Sequence, residues 1–251
     1  MRDVTTLSPA DARGEPVRVL CLRLERDPSR VTAWRAELSA EEQARAARFR
    51  QPDDVARWVL GRTALRRILG ARLRCSPEAV SLVPGPNGKP VLPPESPPWQ
   101  FNLSHSGDWL LLALAWRRRV GIDVEAWRDL EYAALAELAF APEERAALAA
   151  APVVQRAATF FATWTRKEAL LKARGLGLGA FPLEEFAVEP RPQVRPRVER
   201  WRGETDPGRV WRLFSMPVAE RCSACLAVEH HAEESDVAIE WEKGIDLGDG
   251  Q

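Results

Sequence analysis

The segment Val17 to Glu25 (VRVLCLRLE) is apolar and β-leaning, which predicts a first strand. Ser39, with Glu42 in the capping-box position, opens a helix running through Phe49. Asp53 caps a second, longer helix to about Arg72, whose apolar face is Val55, Val59, Leu65, Ile68 and Leu69. A turn-rich stretch, Pro84-Gly85-Pro86-Asn87-Gly88-Lys89-Pro90, and a proline-rich connector, Pro93 to Pro98, break the pattern. Strands follow at Phe101–Ser104, Leu110–Trp116 and Val120–Glu125, the last two joined by the basic turn Arg117-Arg118-Arg119. The spacing then becomes helical: Glu131–Phe140, Pro142–Ala150 and Val153–Arg174 are alanine-rich helices, the last closed by Gly175. Strands return at Phe186–Glu189, Val210–Ser215 and Cys222–Glu229. From Ala232 the chain is acidic, and residues 234–251 are expected to form a poorly ordered tail.

Strand, helices, strands thus occurs twice, with a divide near Arg118. The expected architecture is α+β, with one half over residues 1–118 and a similar half over 119–233, although no repeat is visible by residue identity. A cleft between two such halves is a common place for a ligand.

Composition narrows the classes. A chain of 251 residues with 45% hydrophobic content can bury a sizeable core, and its zero net charge argues against nucleic-acid binding through a global positive field. Cys21, Cys75, Cys222 and Cys225 are too few and too scattered for a disulfide framework, which favours a reducing cytoplasm. No signal peptide follows Met1-Arg2-Asp3, and the longest apolar run, Trp109–Trp116, is too short to span a bilayer, so no membrane association is expected. Arginine far outnumbers lysine. The only lysines are Lys89, Lys167, Lys172 and Lys243, and three of these lie in or near the motifs that carry chemistry.

Those motifs are three. In GIDVE (121–125), Asp123 and Glu125 leave the same face of a strand, where they repel unless a cation compensates; a solvated strand end gives the same pattern. Mg²⁺ takes one or two carboxylates and completes its octahedron with phosphate oxygens and water. In WTRKEALLK (164–172), Trp164, Glu168 and Lys172 recur at helical spacing with Lys167 beside them. They form either an ordinary amphipathic face or a third carboxylate with two phosphate-facing ammonium groups. In FNLSHS (101–106), His105 sits between Ser104 and Ser106 at a strand end; it is a structural histidine or a phosphate contact. No G-x-S-x-G elbow supports a serine hydrolase. Cys222 and Cys225 lack the second C-x-x-C of a zinc site, and Gly175 to Gly179 follows a helix instead of opening one on a phosphate.

In this order and spacing, the three blocks resemble the signatures of the surfactin-type 4′-phosphopantetheinyl transferases, the long, pseudo-dimeric form of that superfamily. NGKP (87–90) and the helix pair bearing Arg45, Arg48, Phe49 and Arg57 add to the resemblance, which covers about residues 17–230. It implies two α+β halves with one active site between them. It implies coenzyme A as donor, Mg²⁺ or Mn²⁺ as cofactor, and a serine of an apo acyl or peptidyl carrier protein as acceptor. Asp123, Glu125 and Glu168 would be the metal ligands, with Glu168 or metal-bound water as the base. Asp123, Glu168 and Lys172 would carry the catalysis. Lys167 and Lys172 would hold the diphosphate, Ser104, His105 and Lys89 the coenzyme A phosphates, and Arg45 and Arg57 the 3′-phosphate region. Glu144 falls at an acidic position between the blocks. A monomer is expected, because both halves of the site lie in one chain.

Overall fold

A computed structural model describes residues 15–85, 88–177, 179, 181–202, 210–230 and 237–244. The first apolar segment forms β1 (Val17–Arg23), buried on nearly every position. Helix α1 (Pro28–Ala36), which the pattern does not announce, owes its start to Asp27, whose side chain accepts the N–H of Ser29, and to Pro28 at the first helical position. Only Trp34 of this helix is buried, so it carries no apolar stripe for the sequence to display. Helix α2 (Ala40–Ala46) has the expected capping box between Ser39 and Glu42 but stops short of Phe49. Helix α3 (Pro52–Leu73) is capped at Gln51 rather than Asp53, which sits in the first turn facing the helix dipole. It ends where Arg74 turns left-handed at φ 58°.

After a two-strand ribbon of β2 (Val83–Pro84) and β3 (Pro90–Val91) come β4 (Trp99–Ser106), β5 (Trp109–Trp116) and β6 (Val120–Ala126). Helices α4 (Tyr132–Ala139), α5 (Pro142–Ala150) and α6 (Val153–Arg174) follow, with Gly175 at φ 74° closing the last. The chain then adds β7 (Phe186–Val188), β8 (Val198–Trp201), β9 (Trp211–Ser215), β10 (Cys222–Glu229) and β11 (Ile239–Lys243).

The repeat is one of topology. In the first sheet, β5 lies antiparallel between β1 and β4; in the second, β10 lies antiparallel between β6 and β9. In each half the first strand pairs with the last and the last with the one before it. Each half also places a 22-residue helix, α3 or α6, between its first strand and its closing pair. The sheets share a core in which Val19, Leu111 and Ala113 meet Ile122, Leu226 and Val228. Each fully buried aliphatic side chain there contributes roughly 1.5–3 kcal/mol. Among the described residues, no helix is long and apolar enough to cross a membrane.

The expectation of a poorly ordered tail needs correction. Residues 231–236 and 245–251 lie outside the described residues, but Ile239–Lys243 forms β11, paired parallel to β1 from Val17↔Ile239 to Cys21↔Lys243. Ile239 and Trp241 pack on the shared core, while Glu240 and Glu242 point outward to Arg18 at 3.0 and 2.8 Å. Alternation, and not acidity, decides this segment. The first sheet therefore includes a strand from the far end of the chain, and a division by residue number assigns it to neither half.

Candidate active site

The two sheets meet at β4 and β6 through side chains. Asn102 Oδ1 accepts the N–H of Ile122 at 2.7 Å, Ser104 Oγ that of Val124 at 3.3 Å, and Ser106 Oγ that of Ala126 at 3.1 Å. The period-two polar residues of FNLSHS thus satisfy the free edge of β6, whose other edge is paired to β10. The same hydroxyls then orient the carboxylates. Ser104 donates to Asp123 Oδ1 at 2.8 Å, and Ser106 to Glu125 Oε2 at 2.9 Å.

The third carboxylate arrives from α6. Gly121 allows this, because a Cβ there would lie 2.1 Å from the carbonyl oxygen of Ala169 and 2.3 Å from the nitrogen of Ala173. With the helix backbone resting on β6, Lys172 Nζ reaches Asp123 Oδ1 at 2.6 Å, Ser104 Oγ at 3.2 Å and the Ile122 carbonyl at 3.3 Å. Two carboxylate oxygens in this cluster, Asp123 Oδ2 and Glu168 Oε1, are buried without a partner. Burial pushes the Asp123 carboxyl above its usual range against the pull of Lys172 and Ser104. Glu168 is pushed up to about 7 by burial and by the neighbouring Asp123, with Lys172 opposing. Glu125 is the most accessible of the three, and Arg128 donates to it at 3.0 Å.

Among the described residues, no group of three His, Cys, Asp or Glu side chains is gathered into a ready-made metal cage. The donor set nevertheless fits a hard divalent cation that takes part of its shell from a ligand. It offers oxygens only, two of them orphaned and buried, in a cluster whose surplus negative charge Lys172 offsets in part.

Glu168 also yields a stability test. Its folded-state pKa stands above the ordinary 4.5, so its favourable contribution is complete below pH 4.5 and is lost as the pH rises through about 7. Glu168→Gln avoids that loss. With EDTA present, the variant is expected to exceed the wild type by on the order of 3 kcal/mol at pH 8 and to match it near pH 4.5. Urea denaturation at the two pH values checks this; an equal difference at both would show that Glu168 is not held in the neutral form.

Beside the cluster, on the first half, lies a cavity of about 300 Å³ lined by Phe49, Arg57, Trp58, Lys89 and His105 among others. Arg57 donates to the Gly107 carbonyl at 3.2 Å and to Asp54 at 2.7 Å. Arg45 approaches the cavity indirectly, its guanidinium 4.7 Å from the Trp58 ring centroid, with Arg62 at 4.5 Å from the same ring. His105 is pushed down by burial and by the charges of Arg57 and Lys172. Lys89 is pushed down to about 8 by burial and by Lys172, whose backbone carbonyl accepts from it at 3.5 Å.

One expected phosphate ligand is elsewhere. Lys167 is fully buried, donating to Glu144 Oε2 at 2.7 Å and to the Phe186 carbonyl at 2.6 Å, with its ammonium 4.2 Å from the Phe186 ring centroid. One residue is about 100° of helix rotation, enough to turn Lys167 away from the cleft that Glu168 faces. Glu144 completes this buried hub by accepting the N–H groups of Ala141 and Val188, both at 2.8 Å. The pair ties α5, α6 and β7 together, and leaving either charge alone would cost about 3–5 kcal/mol. The i, i+3 spacing of Cys222 and Cys225 sends their thiols to opposite faces of β10, one to each core, so they share no ion. The sequence pattern gave no indication of Trp58, Arg62, Arg128 or the carboxylate-orienting role of Ser106. Only Ser106 leaves a signal, a polar position two residues from Ser104 on the same strand face.

Comparison with known proteins agrees with this arrangement. A family model described as "4′-phosphopantetheinyl transferase superfamily" matches residues 119–224, and one described as "4′-phosphopantetheinyl transferase, N-terminal" matches residues 27–117. The chain is 35% identical to the 4′-phosphopantetheinyl transferase HetI of Nostoc sp. over 219 residues, covering 85% of this chain and 88% of that one. It is 32% identical to a phosphopantetheinyl transferase of Thraustochytrium sp. over 250 residues, 88% and 85% of the two chains. A 4′-phosphopantetheinyl transferase of Bacillus subtilis is 31% identical over 153 residues, 61% of this chain and 66% of that one. With oxygen donors, a basic cavity and both halves accounted for, the chain belongs to the 4′-phosphopantetheinyl transferase superfamily.

Proposed function

We propose that this enzyme transfers the 4′-phosphopantetheine arm of coenzyme A to a serine hydroxyl of an apo acyl or peptidyl carrier protein, releasing 3′,5′-ADP. The observation that carries the reading is the pair of orphaned buried oxygens, Asp123 Oδ2 and Glu168 Oε1, next to Lys172 and the basic cavity. We assign Asp123, Glu125 and Glu168 as the residues that would hold Mg²⁺, or Mn²⁺ in its place. Bound there, the ion supplies charge stabilisation on the diphosphate. The surfactin-type form is the subtype we favour, supported by two topologically equivalent halves within one chain. A monomer working in the cytoplasm goes with that reading.

The chain's own groups divide the remaining work. Arg57 and His105 bind phosphate at the cavity, with Arg45 at its aromatic rim. Lys89 and Lys172 hold the diphosphate between them, and Ser104 fixes Asp123 and Lys172 in place. Glu168, whose Oε1 is buried without a partner beside Asp123 and Lys172, is placed to take the proton of the carrier serine. The serine oxygen bonds to the β-phosphorus as the bond to the bridging oxygen breaks, and the electron pair leaves on 3′,5′-ADP. Lys172 offsets the charge that appears there.

The test is intact-mass spectrometry of apo carrier proteins incubated with the enzyme, coenzyme A and Mg²⁺. A gain of one phosphopantetheine arm that EDTA abolishes is the expected result. Coenzyme A consumed without transfer would indicate a hydrolase instead. Intact coenzyme A and unmodified carriers of the fatty-acid, polyketide and peptide-synthetase classes would indicate a binding module on the same scaffold.

A further inference from the structure

Lysine is scarce in this chain, and its ammonium groups are not held alike. Lys167 is paired with Glu144 at 2.7 Å and Lys172 with Asp123 at 2.6 Å, while Lys243 donates to the Val218 carbonyl. Lys89 is held least. Among the described residues its Nζ has no carboxylate partner, and its hydrogen bond to the Lys172 carbonyl is long, at 3.5 Å. It is also reachable from two sides. The basic cavity meets it from α3, which brings Asp54, Arg57 and Arg62, and from β4, which brings His105. Asp54, the one carboxylate in that lining, accepts from Arg57 at 2.7 Å. A second cavity, of about 330 Å³, reaches Lys89 between the connector after β3 and the end of α6. Its other charged groups are Arg119, Lys172 and Arg174, with no acid among them. An amine walled by cations loses its proton readily, and Lys89 is pushed down to about 8 by burial and by Lys172. Near pH 8 about half of it is the neutral amine, against well under one part in a hundred for an ordinary lysine. A neutral, desolvated lysine amine attacks carbonyl carbon, and the cations around this one attract phosphate. The electrophile such a setting gathers is one that joins the two groups.

We infer that Lys89 is a site of covalent acylation, taking its acyl group from a small acyl phosphate whose phosphoryl end is held in the basic cavity. The lone pair of Nζ bonds to the carbonyl carbon, and the bond from that carbon to the phosphate oxygen breaks. Its electron pair leaves on inorganic phosphate, the amine proton passes to water, and an amide remains. The modification stands on the cavity itself; its consequence rests on the transfer reading, in which Lys89 shares the diphosphate with Lys172. An amide nitrogen carries no charge, so acylation removes one of those two cations and adds bulk where the donor enters. Coenzyme A and the acyl donor then exclude one another at Lys89, and acyl phosphate slows carrier loading without touching the carboxylates.

The test incubates wild-type protein with acetyl phosphate at pH 8 and follows the acetyl occupancy of each lysine by peptide mass spectrometry. Lys89 is expected to react at least about ten-fold faster than Lys243 or Lys172, and inorganic phosphate in excess is expected to slow it several-fold. Lys89 reacting no faster than Lys243 would overturn the inference, as would a rate indifferent to inorganic phosphate. Protein acetylated at Lys89 should load carriers at least about ten-fold more slowly, and full activity after complete acetylation would overturn the regulatory consequence. Coenzyme A is the discriminating competitor. If inorganic phosphate protects Lys89 and coenzyme A does not, the acylation site stands and the placement of the donor in the transfer reading falls.

Discussion

Asp123→Ala protein is expected to fold as the wild type does and to lose at least about a thousand-fold in transfer rate, roughly 4 kcal/mol of barrier. Asp123 sits mid-strand on β6, and its backbone pairing to Cys225 is indifferent to the side chain. Its carboxyl is disfavoured in the ionised form by burial, so removing it relieves a cost as well as a contact. The residue left behind is Lys172, whose side chain is 28% exposed and can hydrate. Activity has no such compensation. Asp123 presents one of the two orphaned oxygens and holds Lys172 over the cleft. Carrier modification followed by intact mass, with thermal melting monitored by circular dichroism, checks both halves of the expectation. A folded variant at full turnover would remove Asp123 from the machinery.

Gly121→Val acts on the same site from behind and is expected to cost both stability and activity. The added Cβ would meet the α6 backbone at 2.1 and 2.3 Å, far inside contact distance, and no rotamer change can relieve a clash with backbone. Either α6 lifts from β6 or the strand gives way. The expected loss is about 3 kcal/mol or more, above the usual range for overpacking because both partners are main chain. Glu168 and Lys172 immediately precede the two residues struck, Ala169 and Ala173, so any lift of the helix carries them away from Asp123. The variant should melt several degrees lower and modify carriers at least about a hundred-fold more slowly where it remains folded. An unshifted melting temperature would mean that the helix does not rest on this strand.

What the sequence made legible, and what it did not, follows from the range of the interactions. The carboxylates and Lys172 were readable because the chemistry demands particular residue types at a fixed order, and α6 because its closing Gly175 and its apolar period are local. Helix α1 was not, since it buries little beyond Trp34. Lys167 was misplaced because it neighbours Glu168 in sequence, and its true partner, Glu144, is 23 positions away on another helix. The interstrand ladder of Asn102, Ser104 and Ser106 was visible only as polarity at alternate positions. That its oxygens serve backbone N–H groups of β6 depends on two sheets meeting, which no local pattern encodes.

The pairing of β11 with β1 has a consequence for synthesis. The ion pair from Arg18 to Glu242 spans 224 positions, so this edge of the first sheet stays open until every other described strand has been synthesised. The second half, contiguous from β6 to β10, can close while the first still presents the bare edge of β1 to any neighbouring chain. Strand β1, which precedes the other described strands in sequence, is therefore the last of them to have its outer edge covered, and crowded nascent chains are most exposed to mispairing there.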